Sequence, residues 1–167
     1  SLTLTLATPD LTPTAFTAPA SATTQQSIAL SWTVANQGAG AAQPTWSDYI
    51  YLSTDAVYDT GDTYVTVVHG TTAVAAGESY TRTPTVTVPN VPAGNYYLLL
   101  RADHWGNVYE ANETNNTQAI PITITTPDLT PTAFTAPANA TTQQSIALAW
   151  TVTNQGPGVA KPTWSDY

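Results

Sequence analysis

The chain has 167 residues and a formal charge of −8, from eleven acids against three bases (Arg82, Arg101 and Lys161), and only 8% of its residues are charged. So little basic character excludes a nucleic-acid partner, which is bound through arrays of Lys and Arg. It has no cysteine, which rules out thiol chemistry and Cys-ligated zinc, and no apolar run long enough for direct membrane insertion.

The polar surface must then come from threonine, of which there are 33. A Thr-rich, Lys-poor composition favours strands over helices. There is no methionine either, and the sequence reads as an internal window of a longer chain.

In chain order, short alternating or β-branched runs separated by Gly, Pro and Asn predict seven strands, near 10–17, 27–36, 45–53, 63–69, 78–88, 95–103 and 117–125. The first is crowded by Pro9, Pro13 and Pro19, which cannot donate to a ladder, so it belongs at an edge or is broken. Pro121 sets a similar limit on the seventh. The second alternates cleanly: Ile28, Leu30, Trp32 and Val34 face one way, and Ala29, Ser31, Thr33 and Ala35 the other. Ile50, Leu52, Val86, Val88, Leu98, Leu100, Ile120, Ile122 and Ile124 should join the same core. The pattern is that of an all-β, immunoglobulin-like β-sandwich of about seven strands. Tyr96, after Gly94-Asn95, is placed to tie a turn through its hydroxyl.

The strongest signal is self-similarity. Residues 126–167 repeat residues 8–49 at an offset of 118 (126 minus 8), with 36 of 42 positions identical. The differing pairs are Ser21/Asn139, Ser31/Ala149, Ala35/Thr153, Ala39/Pro157, Ala41/Val159 and Gln43/Lys161. LTLTLAT at 2–8 stands at the same offset from IPITITT at 120–126. The expected organisation is therefore the last strand of a preceding copy in 1–7, a complete domain in 8–125, and the first third of the next copy in 126–167.

Four segments in one order resemble the CARDB family, the cell-adhesion-related domain of bacterial and archaeal surface proteins. They are NQGAGAA at 36–42, DYIYLSTDAVYDTGDTYV at 48–65, GNYYLLLRAD at 94–103 and NVYEANETNN at 107–116. The resemblance implies an immunoglobulin-like sandwich, usually in tandem, on secreted or surface proteins of prokaryotes. It implies no defined ligand, since fold does not determine function.

Several residue sets invite a functional reading. Asp55, Asp59 and Asp62 fall within eight residues of the loop between the third and fourth strands. Oxygen ligands so crowded suit calcium, although the spacing is not that of an EF-hand. If copies stack end to end, Asp128 would join them at the junction. The alternative is a solvated loop whose aspartates cap turns. No other cofactor is implied.

If Ile50 and Leu52 face inward, then Tyr49, Tyr51, Tyr97 and Leu99 face outward and form one apolar contact patch. His104 and Trp105 add a stacking surface for a sugar or a partner, or they simply pack. Three N-glycosylation sequons begin at Asn112, Asn115 and Asn139. Thr83, Thr85 and Thr87 suit O-linked sugars.

No catalytic set is recognisable. His69 and His104 lack ordered Ser and Asp partners, and the acids face no evident cleft. The expected role is a structural repeat of an extracellular or cell-surface fibre whose partners are neighbouring copies of itself. The alternative is an adhesive module that holds a glycan or a protein.

Overall fold

The computed structural model describes residues 6–162 and 164–166. The expectation for Leu2 and Leu4 as part of a strand lies outside the described residues.

Ten strands build the first unit: β1 Leu11–Thr17, β2 Ser21–Thr23, β3 Ser27–Ala29, β4 Ser31–Asn36, β5 Ser47–Ser53, β6 Thr63–His69, β7 Ser79–Arg82, β8 Thr85–Thr87, β9 Gly94–Arg101 and β10 Thr117–Thr125. They form two layers. One carries the order β1-β4-β7, extended by the pair β3-β8; the other carries β2-β10-β9-β5-β6. There is no helix among the described residues. The all-β, immunoglobulin-like expectation holds.

Ten strands stand where seven were expected because two of the seven divide and β2 is additional. After Pro19, beyond the first expected strand, β2 crosses to the other layer and pairs in parallel with β10, while β1 pairs antiparallel with β4. The fifth divides at Pro84, between β7 and β8. The second divides beside it, where the amide of Leu30 donates to the Pro84 carbonyl at 2.9 Å. Pro121 lies in the part of β10 that β2 does not reach, so that stretch has a ladder neighbour on one side only.

The core follows the predicted alternation. Trp32 and Val34 are fully buried, with Ile28, Leu30, Ile50, Leu52, Leu98, Leu100, Ile122 and Ile124 beside them. Phe16 meets the Trp32 ring edge-on at a centroid distance of 6.4 Å. Ile120 is partly buried at the edge of this core. The Tyr96 hydroxyl donates to the Pro92 carbonyl at 3.1 Å, which is the corner its position predicts.

Beyond β10, β11 Leu129–Thr135 and β12 Ala149–Asn154 pair antiparallel. Their register repeats that of β1 and β4, down to the irregularity at Pro131/Ala133, which matches that at Pro13/Ala15. The Trp150 indole donates to Asp166 at 2.7 Å, as the Trp32 indole does to Asp48 at 2.9 Å. The burial differs. Phe134 is 68% exposed and Trp150 52%, against 6% for Phe16 and none for Trp32. The strands that cover Phe16 and Trp32 have no counterpart over Phe134 and Trp150 among the described residues.

Candidate functional site

Three regions bear on function: the joint between the two units, the aromatic outer face of the β5-β9 layer, and the acid-rich loops.

At the joint, Thr125 ends β10 inside the first unit. Its carbonyl accepts the Thr24 amide at 2.9 Å, and its hydroxyl pairs with that of Thr23 at 3.3 Å. The next residue, Thr126, is held by the second unit, where its carbonyl accepts the Gly158 amide at 3.0 Å. Asn154 organises this side. Its Oδ1 accepts the amides of Asp128 and Gly156 at 2.9 and 3.1 Å, and its Nδ2 donates to the Gly158 carbonyl at 2.7 Å.

Gly156 and Gly158 are required by close approach. A Cβ on either would lie within 2.6 Å of backbone atoms of Thr126 or Asp128. Asn36 performs the same task in the first unit. It is fully buried and bonded to Asp10, Gly38, Gly40 and Val74. The NQGxG motif is thus a clamp on the segment that enters each unit.

The clamp loop also touches the preceding unit. The Val159 amide donates to the Thr23 hydroxyl at 3.3 Å, and the Lys161 ammonium donates to the Gln25 carbonyl. Thr24, Gln25, Pro127, Leu129, Val159 and Lys161 line the groove there. Asp128, expected at the joint, lies in the segment the clamp holds, and the turn between β2 and β3 meets the clamp loop there. Asp55, Asp59 and Asp62 were expected near it.

Those aspartates are occupied locally. Asp55 accepts the Val57 amide at 2.8 Å and Asp59 the Gly61 amide at 2.6 Å. Asp62 accepts the Asp59 amide at 2.9 Å. Each carboxylate caps a turn of its own loop. Among the described residues no group of three or more acids or histidines is placed to hold a metal ion.

On the outer face of β5, Tyr49 and Tyr51 lie nearly parallel with centroids 6.1 Å apart. His104 sits 4.5 Å from Tyr49, Tyr58 lies 4.8 Å from Tyr51, and the Arg101 guanidinium is 4.1 Å from the Tyr58 ring. This corrects the patch expected there. Leu99 is fully buried and Tyr51 only 8% exposed, because the aromatic residues of the flanking loops fold over the sheet. Tyr97 and Tyr49 remain half-buried. What reaches solvent is Trp105, 67% exposed and donating to the Tyr49 hydroxyl at 3.2 Å, together with Tyr64. Burial, then the Arg101 charge, lowers the pKa of His104, whose buried Nδ1 has no hydrogen-bond partner. Burial raises that of Tyr51 to about 12.

Three acids are buried. Asp48 accepts from Trp32 and from the Tyr80 hydroxyl at 2.9 Å, and burial pushes its pKa up to about 6. Glu110 accepts from the Leu11 amide and the Asn116 side chain, tying the loop after β9 to the start of β1, and burial pushes it up to about 7. Asp103 adopts φ 41° and accepts the amides of Asn107 and Val108 at 3.0 and 2.8 Å, and its pKa is raised by burial. Asp48, two residues before Ile50 and in phase with the inward face, also repeats at Asp166 together with its tryptophan.

The sequon asparagines differ. Asn112 is exposed, with its Oδ1 bonded to the Thr114 amide and hydroxyl at 3.0 and 2.7 Å. Asn139 is exposed too, as are Thr83, Thr85 and Thr87. Asn115 is a correction. Its Nδ2, the atom a glycan would take, donates to Asp10 and Thr12 at 2.8 and 2.9 Å.

A two-layered, mostly antiparallel sandwich with a tyrosine corner defines an immunoglobulin-like module. The CARDB family profile matches residues 8–120, and the chain belongs to that family. It is similar to the crystal structure of the CARDB domain of the PF1109 protein from Pyrococcus furiosus, in complex with di-metal ions. The identity is 21% and the TM-score 0.55, over 74% of this chain and 94% of that one. The solution structure of the same domain gives 21% and 0.55, over 71% and 97%. At that identity the likeness bears on the fold alone. No curated protein sequence matches the chain.

Proposed function

We propose that the chain is a structural repeat of an extracellular or cell-surface fibre or stalk, in which CARDB domains stack without spacers. One observation carries this reading: consecutive residues are anchored in different units, Thr125 by Thr24 and Thr126 by Gly158. A joint with no free residue transmits orientation from one domain to the next, which is what a stalk needs and a string of independent binding modules does not. The 36 shared positions of the two copies support it, because a lattice or fibre favours identical units. Sugars on Asn112, Asn139 or the threonines of β8 would hydrate a surface that has few charges.

A second reading is adhesion through the aromatic face, favoured by the exposure of Trp105 and Tyr64 around a packed aromatic base. Neither reading assigns catalysis, and the three buried acids are spent on internal hydrogen bonds.

Electron microscopy of a chain carrying several copies tests the choice. Straight rods that lengthen by a constant step per copy support the stalk. Beads on a flexible string contradict it.

A further inference from the structure

The six substitutions between the two copies are not scattered. Three of the pairs, at 39/157, 41/159 and 43/161, fall in the clamp loop, and that loop bears on the preceding unit. The Val159 contact is made by its amide, and its side chain remains 74% exposed, so it does not depend on which residue stands there. The Lys161 contact is made by the side chain itself.

The chain has three basic residues. Arg82 lies over Tyr80 at 4.8 Å and Arg101 over Tyr58 at 4.1 Å, both within the first unit. Lys161, the only lysine, reaches across the joint.

Its acceptor is built for the purpose. Thr23–Gln26 form a turn closed by the Gln26 amide on the Thr23 carbonyl at 2.9 Å, with Gln25 at φ 61°. That conformation normally selects Gly or Asn. A glutamine holds it because neighbours over-determine it. The Gln25 amide donates to the Val88 carbonyl at 3.0 Å, the Thr24 hydroxyl to the Pro89 carbonyl at 3.0 Å, and the Gln26 side chain accepts the Thr23 amide at 2.8 Å. The turn is rigid, and its outward carbonyl is fixed toward the following unit. The second copy repeats the shape, with Gln143 at φ 64°.

We propose that this turn is the socket of a domain-to-domain joint, that its partner is the clamp loop of the following copy, and that Lys161 is the side chain that locks it. At the equivalent position of the first copy stands Gln43, shorter and uncharged. A joint made with glutamine is looser, so the residue at this one position sets how stiff each junction is. The proposal rests on the tandem reading above and adds the residue that controls it.

Backbone NMR relaxation on the 167-residue chain tests it. In the unaltered protein, amides of β1–β10 and of β11–β12 should report one rotational correlation time. Lys161→Gln, a substitution the first copy carries naturally, should shorten the correlation time of β11–β12 alone. It should also raise exchange of the Val159 amide by about fivefold, as expected for losing one exposed charge-assisted hydrogen bond. Lys161→Arg should restore both, and unchanged shifts in β10 show that the first unit remains folded. If Lys161→Gln tumbles like the unaltered protein as one body, the lock is wrong and the stalk reading stands. If the unaltered protein already tumbles as two bodies, the spacer-free stalk itself is wrong.

Discussion

Thr125 and Thr126 are neighbours in sequence and are anchored in different units. The carbonyl of the first accepts from Thr24, just past β2, the neighbour of β10 in its own sheet, and that of the second accepts from Gly158, in the clamp loop ahead. A chain crossing between folded units usually does so in a flexible linker. Here the crossing is one peptide bond long.

The two tryptophans of the repeat should respond differently to truncation. Trp32→Ala should destabilise the first unit by about 3–5 kcal/mol, the usual cost of emptying a large aromatic site in a core. Trp150, 52% exposed in the same local geometry, should cost far less when replaced by Ala. Urea melts of both variants check this, and equal losses would contradict it.

Acidity should stabilise the domain. Burial raises Asp48 to about 6 and Glu110 to about 7 in the folded state. A raised carboxyl contributes stability that is fully present below the unfolded carboxylate pKa and is lost as pH rises through the folded value. The melting temperature should therefore climb as pH falls from about 7.5 to about 4, the interval between those folded values and the unfolded reference. Asp48→Asn should flatten the lower part of that profile. A domain that loses stability over the same descent would contradict the assignment.

Much of this was legible in the sequence, for reasons that can be traced to particular residues. Trp32 and Val34 were placed correctly because strict alternation fixes the face of a strand. The Tyr96 corner followed from its place after a Gly-Asn pair. The outer face of β9 was misread because alternation gives direction and not cover. Leu99 points away from the core, and a second aromatic cluster from the flanking loops still buries it. The aspartates of 55–62 were legible as a cluster, but their geometry was not, since adjacent carboxylates can converge on an ion or each turn back to its own backbone. The crossing of β2 to the second layer followed from no local signal except Pro19.

Loss of the clamp should separate its two duties. Asn36 is buried with four hydrogen bonds, so Asn36→Ala should cost about 2–3 kcal/mol, more than one average hydrogen bond, because it leaves buried groups unpaired. Asn154→Ala should leave the melting of the first unit unchanged while freeing the Asp128 and Gly156 amides to exchange. Hydrogen exchange read by NMR distinguishes the two.

Expression in a host that attaches N-linked sugars should occupy Asn112 and spare Asn115, whose Nδ2 is committed to Asp10 and Thr12. Intact-peptide mass spectrometry gives the occupancy of each. Preferential modification of Asn115 would mean that β1 and the start of β10 separate more readily than these bonds imply.

The absence of cysteine allows a direct measurement of the joint, because any introduced pair is unique. Spin labels at Thr85→Cys on the first unit and Thr135→Cys on the second, both exposed positions, report the distance between domains by pulsed electron resonance. A spacer-free joint predicts a single narrow distance distribution, as narrow as that of a control pair placed within the first unit. A broad or multi-peaked distribution would contradict the stalk.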